Sequence, residues 1–385
     1  MRMNLQEIKD KLNARGKFER VTRRLRKNDR VAEWYEMLYE DRGDDTLPRI
    51  AQNVRDCSKL WDIDYYRLQG VKDILRTNLC KNRFCDNCQN AMSIQRERKY
   101  APFLDALGRL YDIYHIVFTI PNPEPEELSS AVDNMYKQIG YIVRLFTGNA
   151  KIKGYDFEKY GFLGAVRALE ITKGSDGRTF HPHFHCLFVL RKGLKLDINR
   201  KIVNSYSFNN PDIKKSHKRK EYGKPERYFS EFDVLLQKVW RLRVDGIKVN
   251  RKSIDELKEG YSVICENCEG KYKEVFKYAT KGVFKENLDL SNGYVDFVAL
   301  VDTLYRRKLI QGYGLLNKYK FEITLEQDAR ADAEYQNVVK TLRELESPDR
   351  VFEYLSEINK ELQSKNITYI SRSTIGELMG EDYAE

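Results

Sequence analysis

The sequence predicts an α+β protein: an antiparallel sheet flanked by helices, with a cysteine-rich module and a helical carboxyl-terminal appendage. Residues 111–122 (YDIYHIVFTIPN) are typical of a strand that is stopped by prolines. Residues 161–190 read as two strands joined by a Gly-Ser-Asp-Gly turn, which indicates a β-hairpin. Helical spacing of apolar residues over 128–147 predicts a helix that crosses the sheet.

The composition indicates a folded protein of several parts. The chain has 385 residues, of which 41% are hydrophobic and 33% charged, so a sizeable core is expected and disorder is not. No apolar run approaches the roughly 20 residues that cross a bilayer, and the charged amino terminus lacks the apolar segment of a signal peptide. We therefore expect a cytoplasmic protein without a membrane partner. In a reducing compartment its seven cysteines favour metal binding over disulfides.

The charge divides the chain into regions. Residues 321–385 carry 15 acidic and 7 basic side chains, so the net charge of +10 leaves +18 on the preceding residues. We predict a helical basic region over 1–74, a catalytic domain with the cysteine module over 75–320, and an acidic helical region over 321–385. Positive charge favours a polyanion partner because phosphate binding releases condensed counterions.

Two basic segments are candidates for binding nucleic acid. The first runs from Arg20 to Arg30 and includes Arg23 and Arg24; the second runs over 214–227 and includes Lys218 and Arg219. The alternative is that each segment is only a solvated face.

Three of the five histidines stand on alternate residues in TFHPHFHCLFVL. Residues i and i+2 of a strand share a face, so His183 and His185 form a clamp for a divalent metal. His181 precedes Pro182, where the chain is only entering the strand. We predict that it contacts the substrate or supports the metal ligands without binding the metal itself. The alternative is that the histidines are core or surface residues without function.

The predicted hairpin supplies a third ligand. A turn centred near Asp176 and Gly177 sets Glu170 opposite His183. Two imidazoles and one carboxylate leave open positions on a metal, which is typical of a catalytic site. A slip of one residue would instead make Glu170 an ordinary exposed strand residue.

A second group of candidate residues lies in KEVFKYATKG. On a helix, Glu274, Lys277, Tyr278 and Lys281 share one face. A phenolate is a good nucleophile towards phosphorus, lysines ease its ionisation and bind phosphate oxygens, and a nearby glutamate can act as general base for a second nucleophile. An ordinary surface helix is the alternative. Together with a divalent ion, however, these residues describe DNA strand transfer.

These motifs resemble those of a known family. HPHFHCLFVL resembles the histidine motif of the HUH endonucleases, HIVFTIPN their preceding strand motif, and EVFKYATKG their tyrosine motif. More narrowly, NLCKNRFCDNC and a glutamate four residues before the tyrosine resemble the replication initiators of small rolling-circle plasmids from Gram-positive bacteria. The order and spacing agree over roughly residues 75–285.

The resemblance implies an HUH nuclease core with a single catalytic tyrosine. Tyr278 would attack one phosphodiester of single-stranded or hairpin origin DNA, leaving a 5′-phosphotyrosine and a free 3′-OH for a polymerase. Glu274 matches the glutamate that activates water at termination, and His183 and His185 match the ligands of Mg²⁺ or Mn²⁺. A host helicase and a polymerase are candidate partners, and the oligomeric state is left open.

The cysteine spacing predicts a structural zinc site. Cys85 and Cys88 form one C-x-x-C pair, and Cys265 and Cys268 form another. If the pairs meet, four thiolates bind Zn²⁺ and leave no open position. Cys80 is a competing ligand for this site. Cys57 and Cys186 are predicted to be core or surface residues.

Two other functional classes compete with the replication initiator. A single-tyrosine transposase or a conjugative relaxase would use the same chemistry. A non-catalytic, zinc-dependent DNA-binding regulator would use the histidines and cysteines only to hold its fold, and it predicts that Tyr278→Phe leaves all activity intact.

Overall fold

A computed structural model describes residues 17–57, 61–66, 71–77, 79–197, 201–202, 228–268, 270, 293–316 and 340–364. The helices are α1 Lys17–Arg42, α2 Leu47–Asp56, α3 Asp86–Gly108, α4 Leu128–Phe146, α5 Glu231–Val244, α6 Arg251–Glu256, α7 Gly293–Leu304 and α8 Pro348–Ser364. The strands are β1 Trp61–Tyr66, β2 Val71–Thr77, β3 Tyr111–Thr119, β4 Gly164–Lys173, β5 Phe180–Arg191, β6 Lys201–Ile202, β7 Tyr228–Phe229, β8 Val263–Asn267 and β9 Ile310–Gly314.

In the described part of the chain, five strands form one antiparallel sheet in the order β8-β3-β5-β4-β9. The hairpin β4–β5 lies inside this sheet, and β3 pairs with the other side of β5. The strand pairs β1–β2 and β6–β7 stand apart from it. The predicted α+β class, with an antiparallel sheet and flanking helices, is confirmed.

Each face of β5 contributes to a different apolar core. Phe184, Cys186 and Phe188 point to the face that α4 and α5 cover. Leu187 and Val189 point to the other face, where they join apolar side chains of α3 and α8. Because side chains alternate along a strand, His183 and His185 continue this second face beyond Leu187. The histidines therefore stand where one apolar core ends.

The amino-terminal helices pack against α7. The rings of Tyr35 and Phe84 contact Phe297 with centroid distances of 4.9 and 5.3 Å. Arg42 on α1 makes a bidentate ion pair with Asp302 on α7, with Nη1–Oδ1 and Nη2–Oδ2 distances of 2.8 and 2.9 Å. Apolar side chains of α1 and α2 belong to the same core cluster as the α4 face of the sheet. Burying such a ring stabilises the fold by about 1.5–3 kcal/mol.

None of the helices within the described ranges is both long enough and apolar enough to cross a membrane.

Candidate metal centre and its surroundings

The turn of the β4–β5 hairpin fixes the register of the site. The Asp176 carboxylate accepts hydrogen bonds from the backbone N–H groups of Arg178 and Thr179, at 2.9 and 3.0 Å, and from the Thr179 hydroxyl. Gly177 takes the left-handed conformation, with φ of 70°, which glycine adopts without strain. The resulting register pairs Glu170 with His183, so the register predicted from the sequence is confirmed.

Three buried side chains converge at the end of this hairpin. Oε2 of Glu170 lies 2.8 Å from Nε2 of His183 and 2.9 Å from Nε2 of His185. Two ligands at right angles around an ion with bonds of about 2.0–2.1 Å would stand about 2.9 Å apart. The three residues, which we call the histidine–glutamate cluster, could therefore hold a metal ion, and three protein ligands would leave coordination positions open.

Hydrogen bonds prepare this cluster for a cation. Nδ1 of His183 lies 3.0 Å from the carbonyl oxygen of His181. Since a carbonyl only accepts, Nδ1 donates this bond, and the lone pair of Nε2 remains for a metal. Burial alone would raise the pKa of Glu170, but without an ion Nε2–H groups of His183 and His185 donate hydrogen bonds that outweigh burial and lower the pKa to about 2. The carboxylate is thus ionised at neutral pH. A bound cation would replace the two Nε2 protons.

His115 on β3 also belongs to the site, although sequence reasoning did not select it. Its Nε2 lies 2.9 Å from Nδ1 of His185, and the two ring planes are inclined by only 15°. Burial, and then the neighbouring His185 and His183, lower the pKa of His115 to about 3, so its ring is neutral. Its strand was predicted, but the pairing of β3 with β5 is not local, and the sequence gives no register for it.

His181 lies at the edge of the histidine–glutamate cluster. Its ring centroid is 5.0 Å from that of His183, and its Nδ1 is 2.7 Å from the side-chain oxygen of Asn122. It is only partly buried and does not converge on Glu170. This position agrees with the prediction that His181 is set apart from the two ligand histidines. Its contact with the substrate stays a prediction.

A second group of metal-ligating side chains lies between α2 and α3. Sγ of Cys57 is 3.4 Å from Sγ of Cys85 and 3.6 Å from Sγ of Cys88, and Sγ of Cys80 is 3.6 Å from that of Cys88. Around a tetrahedral zinc with bonds of about 2.3 Å, sulfur atoms stand about 3.8 Å apart. We call these residues the four-cysteine cluster, and they could hold zinc.

The composition of this cluster corrects the predicted one, in which Cys265 and Cys268 completed the site. Cys265 lies on β8 opposite Ile116 and is buried in the core on the α4 side of the sheet. Cys268 is buried in the opposite core, and burial raises the pKa of its thiol to about 12. Pairing of β8 with β3 thus places Cys265, and Cys268 just after the strand, in the cores on the two faces of the sheet, and neither is among the cysteines whose sulfur atoms converge.

The places of Cys265 and Cys268 are taken by cysteines that come earlier in the chain. Cys57 directly follows α2; it is a member of the cluster, and its prediction as a core or surface residue is wrong. Cys80, the predicted competing ligand, is also a member. Cys186 is buried in the core, one of the two environments expected for it.

The residues predicted for strand transfer lie outside the described part of the chain: Glu274, Lys277, Tyr278 and Lys281. Of the predicted DNA-binding residues, Arg23 and Arg24 lie on α1, while Lys218 and Arg219 are outside the described residues. The segment that carries Tyr278 is followed directly by α7. Asp296 in the first turn of α7 accepts a hydrogen bond of 2.8 Å from Lys173, which ends β4.

Comparison with known proteins gives a family match over the central part of the chain. Residues 71–195 match Rep_1, described as a replication protein family. This range contains the histidine–glutamate cluster and three members of the four-cysteine cluster. No solved structure matches the chain.

Three relatives carry the name "Protein rep". One from Bacillus sp is 27% identical over 164 residues, which cover 42% of this chain and 50% of the relative. One from Bacillus amyloliquefaciens is 26% identical over 187 residues, covering 48% and 52%. One from Streptococcus pneumoniae serotype 2 is 22% identical over 275 residues, covering 70% and 71%. The chain thus spans about half the length of the two Bacillus relatives that it matches. These matches support the predicted resemblance to replication proteins: residues 71–195 are similar to the Rep_1 family.

Proposed function

We propose that this protein initiates rolling-circle replication of a plasmid by nicking and joining origin DNA. The observation that carries the proposal is the convergence of Glu170, His183 and His185 on one point, with ligand spacing that suits an octahedral ion. It lies within the region that matches a replication protein family. In fold, we assign the five-stranded sheet to the HUH endonuclease core, in which the histidine strand carries the metal ligands.

The reaction is a transesterification at phosphorus. A Mg²⁺ or Mn²⁺ ion held by the histidine–glutamate cluster would polarise the scissile phosphodiester. The Tyr278 oxygen loses its proton and attacks phosphorus, the P–O3′ bond breaks, and a 5′-phosphotyrosine and a 3′-OH result. Lys277 and Lys281 bind the phosphate oxygens. At termination Glu274 takes a proton from a water molecule, which attacks phosphorus in place of a second tyrosine. The bond between Lys173 and Asp296 supports this arrangement, because it attaches α7, which follows the tyrosine segment, to the strand of Glu170.

A zinc ion at the four-cysteine cluster has a structural role in this proposal. Four thiolates leave no open position for a substrate. The loop between Cys80 and Cys85 contacts α7: Arg83 donates to the carbonyl oxygen of Leu304, and the Phe84 ring lies 5.3 Å from that of Phe297. Zinc would hold this loop, and through it the helix that follows the tyrosine segment.

The substrate in this proposal is single-stranded or hairpin origin DNA in the cytoplasm. The basic region over 1–74, with Arg23 and Arg24, and the basic segment with Lys218 and Arg219 contact its phosphates. The catalytic domain extends over 75–320. The acidic region over 321–385 is assigned to host partners such as a helicase or a polymerase.

The deciding experiment uses single-stranded oligonucleotides from the replication origin, Mn²⁺ and a denaturing gel. The wild-type protein should form a covalent protein–DNA adduct, and Tyr278→Phe should form none. Tyr272→Phe, six residues earlier, is the matched control and should retain the adduct. Glu274→Ala should still form the adduct but release it slowly.

The opposite outcomes identify the competing functions. Binding of origin DNA without any adduct would overturn the nicking proposal in favour of a zinc-dependent regulator. An adduct that survives in Tyr278→Phe would remove this tyrosine from the role of nucleophile. Unchanged release by Glu274→Ala would remove the glutamate from termination.

A further inference from the structure

We propose that His115 is a positioning residue of the metal centre, which holds His185 in the tautomer that binds the ion. This inference rests on the metal site in the proposed function and not on the tyrosine chemistry. His115 is not one of the three converging ligands, and it acts through its contact with His185.

The two rings are joined edge to edge. A distance of 2.9 Å between Nε2 of His115 and Nδ1 of His185 is that of a good hydrogen bond. Their centroids are 5.1 Å apart and their planes differ by 15°, so the rings are nearly coplanar. This geometry directs a ring N–H of one histidine along the lone pair of the other.

The position of the proton in this bond decides whether His185 can bind a metal. If Nδ1 of His185 donates to Nε2 of His115, the lone pair on Nε2 of His185 is free to bind an ion. If His115 donates instead, a neutral His185 carries its proton on Nε2, which faces Glu170 and cannot bind an ion. A neutral His115 has one ring nitrogen that accepts, so it can stabilise the first arrangement.

The surroundings of His115 make its ring nitrogen important. On the same face of the sheet, its cross-strand neighbours are Leu187 on β5 and Glu266 on β8, and Val117 stands directly opposite His185. Leu187 and Val117, which flank the contact between the two rings, are apolar and cannot accept a hydrogen bond from Nδ1 of His185. Loss of the His115 acceptor would therefore leave the buried Nδ1 of His185 without this partner and would favour other rotamers and tautomers.

The two ligand histidines are thus oriented by different groups. Nδ1 of His183 faces the carbonyl oxygen of His181, which fixes the proton on Nδ1 without a side chain. Nδ1 of His185 faces His115, a side chain that substitution can remove. Partners of this kind commonly change metal affinity by about 10- to 100-fold when they are removed.

The test compares Mn²⁺ affinity among full-length variants by titration with electron paramagnetic resonance. His115→Ala should bind Mn²⁺ about 10- to 100-fold more weakly than the wild type. His115→Gln should recover most of the affinity, because its side-chain oxygen can accept from Nδ1. Val117→Ala is the matched control: it removes packing next to His185 but no hydrogen bond, and it should bind like the wild type.

A second readout reports the tautomer itself. The ¹⁵N chemical shifts of His185 in the Mg²⁺-bound protein should show Nδ1 protonated in the wild type and in His115→Gln. In His115→Ala, a larger fraction should carry the proton on Nε2 until Mg²⁺ reaches a higher concentration. Thermal unfolding of each variant establishes that the compared proteins are folded.

Several results would overturn the inference. Wild-type Mn²⁺ affinity in folded His115→Ala would do so, and so would equal weakening in His115→Ala and Val117→Ala, which would indicate packing. Absence of saturable Mn²⁺ binding by the wild type would overturn both the metal centre and this inference. Failure of the tyrosine chemistry alone is distinguishable, because Tyr278→Phe should keep the wild-type Mn²⁺ affinity.

Discussion

The histidine–glutamate cluster and the four-cysteine cluster are both able to hold a metal, yet they are assembled in different ways. The first joins Glu170 to residues 13 and 15 positions later, within one hairpin. The second joins Cys57 to Cys88 across 31 positions and two separate helices. Strand parity and a turn predict the first, whereas the second depends on how α2 packs near the start of α3. Local geometry can therefore be predicted from the sequence, whereas long-range packing cannot.

The clusters also differ in what surrounds them. The histidine–glutamate cluster stands at one end of a sheet face, and its three ligand atoms lie within 4.8 Å of one another, a set that would leave coordination positions open on an ion. The four-cysteine cluster is enclosed by its own loop, in which two backbone N–H groups, of Lys81 and Cys80, point at the sulfurs of Cys88 and Cys57. The first arrangement suits exchange of substrate at the metal, and the second suits stability.

The largest expected effect is loss of the fold around the four-cysteine cluster. Cys57→Ser should lose zinc and lower the unfolding temperature sharply, since structural zinc contributes on the order of 10 kcal/mol of binding free energy in small zinc domains. Zinc content by atomic absorption and thermal unfolding by circular dichroism measure this. Cys268→Ala is the control and should keep its zinc. A variant Cys57→Ser that retains stoichiometric zinc would contradict the ligand set.

Chelation should separate the clusters without mutation. Brief treatment with EDTA should remove Mn²⁺ and stop adduct formation while the unfolding temperature changes little, because the histidine–glutamate cluster is held by the sheet. A stronger thiophilic chelator should remove zinc and lower the unfolding temperature, because the four thiolates would then no longer tie the end of α2 to the loop before α3. Equal stability before and after zinc removal would break this distinction.

Glu170→Gln should change the stability less than loss of zinc does, but it should weaken metal binding strongly. The amide keeps the shape of the side chain but removes the charge, so Mn²⁺ affinity should fall by at least about 10-fold. Isothermal titration calorimetry measures the change. Glu256→Gln on the exposed helix α6, whose carboxylate pairs with Lys252, is the control and should bind Mn²⁺ normally. Equal affinity in Glu170→Gln and the wild type would remove Glu170 from the site.

The smallest expected effect concerns the turn that sets the register. Hydrogen bonds from Thr179 and the backbone lower the pKa of the Asp176 carboxyl below its usual range. A carboxyl group whose pKa is lowered in the folded state stabilises the fold at pH values above its ordinary pKa. This contribution disappears as the pH falls through the lowered pKa. Asp176→Ala should therefore be slightly less stable than the wild type at pH 7, with a difference that shrinks in acid.

Denaturant unfolding at several pH values measures the effect of Asp176→Ala. Asp176→Asn keeps an oxygen acceptor at every pH, so its own stability should change less between neutral and acid conditions than that of the wild type. A difference between Asp176→Ala and the wild type that grows in acid would contradict the assigned role of the carboxylate.

Much of the fold could be predicted because it follows local rules. The prolines after β3, the turn before β5 and the alternation along TFHPHFHC identify two strands and their shared face. The pairing of Glu170 with His183 follows from the centre of the turn. His115 was missed since its contact with His185 needs the β3–β5 register, and no turn connects these two strands.

The sequence by itself determined which side chains share the metal-facing side of the hairpin, because alternation and turn geometry act within a few residues. Only the tertiary structure decided which cysteines meet and that His115 contacts His185. Both outcomes depend on non-local pairing: β8 beside β3 holds Cys265 and Cys268 in the two cores, while α2 brings Cys57 to the loop before α3. Such contacts are selected by the burial of whole surfaces and not by the spacing of ligand residues.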